Sequence, residues 1–379
     1  MAADNPFRFG SLALDDAFTD RVEELDELVS DVLSGQDVVL FAPRRYGKTS
    51  LMWRAAQLLL RKRVLVAQVD LMTTPTKEKL AEKLAQAIHD DIASPLFRAK
   101  ERLRVFQGLR VTPVVTVDPD DGSLGFTFDA GHRRQDIDAT LERLLELPAQ
   151  LAGDRGRKVA LVLDEFQEVV HIDRQLPKLM RAVFQTQPEV AHVYLGSQRH
   201  MLARIFSDEN EPFWRSAKRM ELGPIAPEAF APFIDARFAA TGRAVQPEVV
   251  AAILELTRGQ PYATQELCYF LWQETPARSR ATPERLDAAL GRLLRSEHSH
   301  FSLIWQRATG PQRQVLQALA AEPGPVYGED YRRRHGLPSA SGVQRAVGAL
   351  EDQELVARGP AGHEICEPFL AAWVRREQT

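Results

Sequence analysis

The 379-residue sequence predicts an α/β fold, a parallel sheet sandwiched by helices, followed by a helical unit and a small C-terminal winged helix. Three observations predict it. Short apolar, β-branched runs alternate with helix-period segments up to about residue 225. One of those runs bends through a glycine directly into a helix. Beyond residue 300 the order is helix, helix, helix, hairpin, as in a winged helix.

Composition sets the class. With 44% hydrophobic and 26% charged residues the chain is a folded globular protein. A net charge of −4 gives the whole molecule no general attraction for nucleic acid or anionic lipid. The two cysteines, Cys268 and Cys366, lie far apart without CxxC spacing. That argues against a disulfide framework or a zinc site and fits a reducing cytosol. The sequence starts without a basic stretch and apolar core of the signal-peptide kind, and has no run of about 18 apolar residues. The expectation is a cytoplasmic protein with no membrane partner. No internal repeat or low-complexity tract interrupts it.

The elements follow in order. Val22, Leu25, Leu28, Val29 and Leu33 recur at helical spacing, and Ser34-Gly35 stops that helix. Asp37–Ala42 is a short buried strand, Pro43–Gly47 a turn, and Lys48 to about Arg61 a helix. Arg63–Asp70 is a second buried strand, and Thr76–Ile92 a helix. Residues 110–129 alternate apolar and polar side chains around Asp118-Pro-Asp-Asp-Gly122, which predicts a β-hairpin inserted in the alternation. A helix from about Ile137 to Leu151 precedes the strand Lys158–Glu165, apolar until two closing carboxylates. Helix Gln175–Gln185, strand His192–Ser197 and another helix complete the first part. After Ile225 strand signals stop, and Pro227 to about Arg295 reads as helices broken at Arg258-Gly-Gln-Pro261. The expected domains are thus 1–225, 226–299 and 300–379, the last with helices at 310–321, 328–335 and 339–353 and a hairpin after them.

Two motifs carry chemistry. Ala42-Pro43-Arg44-Arg45-Tyr46-Gly47-Lys48-Thr49 fits the P-loop pattern except that Ala42 stands at the first glycine. Such a loop turns backbone N–H groups toward phosphate, and the helix that follows aims its positive end at the same anion. Lys48 is placed to reach the β- and γ-phosphates, and the Thr49 hydroxyl to ligate Mg²⁺. Asp164-Glu165 ends a buried strand, where a P-loop fold keeps its metal carboxylate and the group that orients the attacking water. The alternative for the acidic pair is a helix cap. Ser197-Gln198 end the next strand; Ser197 reads equally as a polar sensor of the γ-phosphate and as an N-cap serine. Gly259-Gln-Pro261-Tyr262 reads as a helix–helix turn, or as a proline laid against adenine. The nine histidines show no ligand spacing.

Taken together, these stretches resemble the archaeal-type ATPase family of the STAND class, within the AAA+ superfamily. Phe18-Thr-Asp-Arg21-Val-Glu-Glu24-Leu resembles its entry motif, with Asp20 in place of the usual glycine. Phe41–Leu51 resembles its P-loop, Leu163-Asp-Glu-Phe-Gln167 its Walker B signature, and Thr257–Tyr262 its lid motif. Glu364–Trp373 resembles its C-terminal winged helix, so the likeness spans about residues 7–376. It implies a P-loop NTPase core, a helical lid, a winged-helix domain and tightly held ADP at rest. It places Arg21 and Pro261 near the base and Ala42 through Ser50, Ser50 included, around ATP or ADP with Mg²⁺. It puts Arg215 near the phosphates or a neighbouring subunit, a solvated surface arginine being the alternative.

Three functions compete: a regulated ATPase switch acting through a protein partner or self-association, a DNA-binding ATPase, and a nucleotide-binding scaffold with negligible turnover. Charge weighs against DNA. Residues 302–379 carry nine Arg and no Lys against nine Asp plus Glu, a local net of zero. The helix at 339–353 has only Arg345 against Glu351 and Asp352, where a phosphate reader shows a basic stripe. Arg332-Arg333-Arg334 is the one cluster able to meet a backbone, or else a solvated helix face.

Overall fold

A computed structural model describes residues 4–10, 18–97, 102–118, 120, 123–128, 134–153 and 156–378. Pro119, Asp121 and Gly122 of the expected hairpin turn, and His132, lie outside the described residues. The chain forms two compact units. One is Arg21–Gly223; the other joins Met1–Asp20 to Pro224–Thr379.

The first unit is built on five parallel strands: β1 (Val38–Phe41), β2 (Val64–Asp70), β5 (Lys158–Asp164), β6 (Val190–Gly196) and β7 (Lys218–Glu221). Their spatial order is β2-β5-β6-β1-β7. Strands β1 and β6 are buried at every position and β5 at all but Lys158. Continuous apolar runs of this kind are what a sheet covered by helices requires. The order sets the site. Although β1 and β5 carry the two motifs, β6 lies between them, pairing Phe41 with Gly196 on one side and Leu163 with Tyr194 on the other. The residues that follow these strands therefore emerge together at one edge.

Helices Val22–Leu33, Lys48–Arg61, Lys77–Ala87, Arg134–Gly153, Leu176–Phe184 and Arg199–Ser207 flank the sheet. The expected hairpin is present as antiparallel β3 (Val114–Val117) and β4 (Leu124–Thr127). Two features differ from expectation. The helix expected to run regularly to Ile92 leaves the α geometry at Ala87 and continues as a π-helical turn, Ile88–Ala93. The strand β7 was not foreseen, because Lys218-Arg-Met-Glu221 has only Met220 buried and pairs along the sheet margin. Beneath the sheet edge Phe166, Tyr194, Phe206 and Phe213 form an aromatic cluster, with Phe166 4.7 Å from Tyr194 and 5.2 Å from Phe213 between ring centroids. Such rings supply large buried area and fix their neighbours.

The second unit is mostly helical, but the expectation that strands end after Ile225 is corrected. Ala244–Val245 (β8) pairs in parallel with Arg280–Ala281 (β9), two residues each, too short to leave a sequence pattern. The winged helix has helices Gly310–Ala321, Glu329–Arg334 and Ala340–Asp352, strands β10 (Val356–Gly359) and β11 (Gly362–Ile365), and the closing helix Pro368–Glu377. Thr309 and Gln312 form a capping box on the first helix. Trp373 is buried, and its Nε1 donates to His298 Nδ1 at 3.1 Å. The N-terminal segment joins this core through Phe7, buried 5.2 Å from the Phe238 ring.

Candidate functional site

The turn after β1 is made by backbone conformation. Tyr46 N donates to Pro43 O at 3.3 Å, and Arg45 and Gly47 both take left-handed φ values, 70° and 86°. An L residue rarely holds such a φ, which is the reason for glycine at 47; a Cβ there would meet no atom within 4 Å. Left-handed residues within a turn curl successive amides into an anion-binding concavity. The helix starts at Lys48, capped by Gly47 without a side-chain acceptor, so its first N–H groups are left to other partners.

Lys48 is 8% exposed, and its Nζ lies 2.8 Å from Glu165 Oε1 and 3.1 Å from Asp164 Oδ1. Glu165 stands just past β5 with φ 50° and ψ 48°. Its N–H donates to Asp164 Oδ1 at 2.9 Å. Its Oε2 accepts from Gln167 Nε2 at 2.6 Å and Ser197 Oγ at 3.0 Å. Burial pushes the Glu165 carboxyl up, but the Lys48 ammonium, with the bonds from Gln167 and Ser197, outweighs it and holds the group below the usual glutamate range. Glu165 is therefore ionised at neutral pH. Among the described residues one ammonium faces the two carboxylates, an excess of one negative charge.

The other anticipated residues fall as follows. Ala42 is buried and donates its N–H to Gly196 O at 3.4 Å; Pro43, Arg44, Arg45 and Thr49 are exposed, and Ser50 is buried. Tyr46 is half-buried. Arg21, buried and left-handed, donates from Nη1 to Glu24 Oε1 at 2.7 Å and from Nη2 to Gly223 O, which ties the first helix to the segment after β7. Arg215 is exposed with φ 51°, its guanidinium 5.2 Å from the Trp214 ring centroid. It shares no ion pair with the Lys48 cluster among the described residues. Pro261, in the second unit, is the first residue of helix Pro261–Glu274. Before it Arg258 and Gly259 are left-handed, and a Cβ at Gly259 would lie 2.3 Å from Ile225 O. Arg258 Nη1 donates to Glu364 Oε2 at 2.5 Å and Nη2 to Ile365 O at 2.6 Å, joining this break to the winged hairpin.

Sequence reasoning gave Gln167 no role beyond membership of the five-residue signature, yet it touches Glu165 directly. The Arg332-Arg333-Arg334 cluster is engaged locally: Arg332 with Tyr327 O, Arg333 with Asp330 and Arg334 with Glu322. Among the described residues no three His, Cys, Asp or Glu side chains converge as a metal cage, and no helix is long and apolar enough to cross a membrane.

Residues 18–267 match the family described as an ATPase domain predominantly from Archaea, and residues 299–376 match a winged-helix family. No curated protein matches the chain in sequence. Among solved structures, a Walker-type ATPase of Pyrococcus abyssi aligns over 98% of this chain and 99% of its own, with TM-score 0.68 and 17% identity. The ORC1 protein of Aeropyrum pernix, solved in complex with DNA, aligns over 96% of this chain and 94% of its own, with TM-score 0.49 and 15% identity. A STAND protein with a tetratricopeptide-repeat sensor from Pyrococcus horikoshii aligns over 96% of this chain and 43% of its own, with TM-score 0.39 and 15% identity.

Proposed function

The chain belongs to the ATPase-domain family found predominantly in Archaea, and from that premise we propose that it binds ATP with Mg²⁺ and hydrolyses it as a molecular switch of the STAND type. The observation that carries this reading is Lys48 Nζ within 3.1 Å of Asp164 and 2.8 Å of Glu165, at the edge where β1, β5 and β6 end together.

The residues suit the ligands. The concavity around Gly47 and the open helix start suit phosphate. Two carboxylates with a neighbouring threonine hydroxyl suit a cation that keeps water and phosphate ligands, as Mg²⁺ does, rather than an all-protein cage. Asp164 and Thr49 would hold it, and Mg²⁺ would supply neutralisation of phosphate charge.

The chain's own groups then have distinct parts. Lys48 exchanges its two carboxylates for the β- and γ-phosphates. That exchange frees Glu165, already ionised, to orient a water by hydrogen bond. Ser197, bonded to Glu165, stands where it can report whether the γ-phosphate is present. Residues 42–50 line the phosphates, Arg21 lies toward the base, and Arg215 faces the phosphates or a second copy. The division into core, lid (226–299) and winged helix (300–379) gives the nucleotide state parts to rearrange. We take the output to be a protein partner or self-association in the cytoplasm. A DNA-reading winged helix is disfavoured, since the Arg332–Arg334 side chains are engaged by their own domain.

The test is direct. Lys48→Ala is expected to abolish binding of ATP and ADP, measured by calorimetry. Glu165→Gln is expected to keep ATP bound and slow hydrolysis by roughly 100-fold. Retained affinity in Lys48→Ala would remove the proposal. A parent protein that binds ATP without turnover would leave the scaffold role in its place.

A further inference from the structure

The side chain of Gln167 is completely buried, and only one end of its amide is used. Nε2 donates to Glu165 Oε2 at 2.6 Å, the shortest of that carboxylate's hydrogen bonds, while Oε1 has no donor within reach among the described residues. A buried polar atom without a partner costs free energy, so its retention calls for a reason. Gln187 has a half-used amide as well, but it gives its N–H to the main-chain Leu145 O, a structural task. Gln167 gives its N–H to the carboxylate beside Lys48.

Its seat is equally specific. A Cβ added at Gly196 would lie 2.3 Å from Gln167 Oε1 and 2.3 Å from Leu202 Cδ1. Gly196 has no left-handed backbone, so glycine stands there for space. Every larger residue would push the amide toward Glu165 or away from it. Glu165 itself sits in left-handed backbone that a non-glycine residue holds only under external constraint. Phe166, buried in the aromatic cluster, fixes the backbone between the two side chains.

We propose that Gln167 is a positioning residue for Glu165, seated by the absence of a side chain at Gly196, and that its amide sets the carboxylate's aim. The inference rests on the ATPase reading above for its effect on rate, though not for the contact itself. Held by Gln167 and Ser197 on Oε2, the carboxylate keeps its place when Lys48 leaves Oε1 for phosphate. Without the amide it swings.

The experiment uses the full chain as parent, Gln167→Met, Gly196→Ala and Glu165→Gln. Methionine keeps the volume and removes the donor. Two readouts are taken: single-turnover ATP hydrolysis with ATP affinity, and the infrared carboxylate stretch of Glu165 at neutral pH, which reports its hydrogen bonding and is assigned by its loss in Glu165→Gln. In Gln167→Met, ATP affinity is expected to stay within about 3-fold while hydrolysis falls roughly 10- to 100-fold, the range of a misaligned base. The infrared carboxylate stretch shifts, because one hydrogen bond to Oε2 is lost. Gly196→Ala shifts the stretch and slows hydrolysis as well. An unchanged carboxylate stretch in Gln167→Met overturns the proposal whether or not the parent turns over. A shifted stretch in a parent without hydrolysis keeps the contact and removes the ATPase reading instead.

Discussion

At the ends of β1, β5 and β6, Lys48 lies within ion-pair reach of Asp164 and Glu165 and Ser197 bonds Glu165, with two carboxylates for one ammonium among the described residues. In the second unit the buried threonine hydroxyls and the Trp373 indole are spent on their own core. Thr257 Oγ1 donates to Ile253 O at 2.8 Å and lies 2.8 Å from Thr264 Oγ1, and Trp373 Nε1 reaches His298. The first arrangement leaves charge over and the second leaves none. A cluster with unbalanced charge is costly to keep unless something binds it, whereas a satisfied core contributes only stability. Substitutions in the two units should therefore fail differently.

The largest expected effect is in the satisfied core. Trp373→Ala removes a side chain 2% exposed and should cost about 3–5 kcal/mol of unfolding free energy, read by urea titration. A loss below about 1 kcal/mol would break the comparison on the side of the second unit. Lys48→Ala comes next. It leaves Asp164 and Glu165 facing each other, and without nucleotide should cost about 2 kcal/mol, less than a fully buried pair because the carboxylates keep some exposure. Adding Glu165→Gln should recover part of that loss, so the two changes should not add. Glu165 has a lowered folded pKa. Its contribution is present above the ordinary value of 4.5 and lost as pH falls through the folded one. In Lys48→Ala that acid-side loss should become shallower. A simple sum in the double variant would mean the cluster is not held by charge.

How far the sequence reaches differs between the same two regions. β1, β5 and β6 are legible because a parallel strand buried on both faces reads as a near-continuous apolar run, and the loop around Gly47 because glycine holds a left-handed φ most readily. The chemistry of Ser197 is not legible, because a serine after a strand caps helices as readily as it meets a carboxylate. Only the strand order, with β6 between β1 and β5, puts it on Glu165. Gln167 stays hidden for the same reason: its partner is two residues away, but the need for a glycine at 196 comes from across the sheet. β7 escapes because an edge strand can be written in charged residues, and β8 and β9 because two residues carry no period. The winged helix is legible because each of its elements is local and long enough to show its own pattern.

The π-helical turn Ile88–Ala93 offers the smallest and sharpest test, since it half-buries Asp91 with no described cation paired to it. Burial raises the Asp91 carboxyl to about 6, the Asp90 charge adds to this, and the Gln68 backbone bond opposes it. Its ordinary value is 3.8, so the folded protein favours the protonated acid. That contribution is full below 3.8 and is lost as pH rises through about 6, which makes ionised Asp91 a cost at pH above 7. Asp91→Asn keeps an acceptor for Gln68 and removes the charge. Because the group is partly solvated, the gain should be modest: a rise in Tm of about 2 °C at pH near 7.5 and a clearly smaller one near pH 4.5. Equal gains at both pH values would mean the benefit comes from packing. A gain larger at the higher pH would separate two ways of burying acid in one unit, Glu165 kept ionised by a lysine and Asp91 pushed toward protonation by its burial.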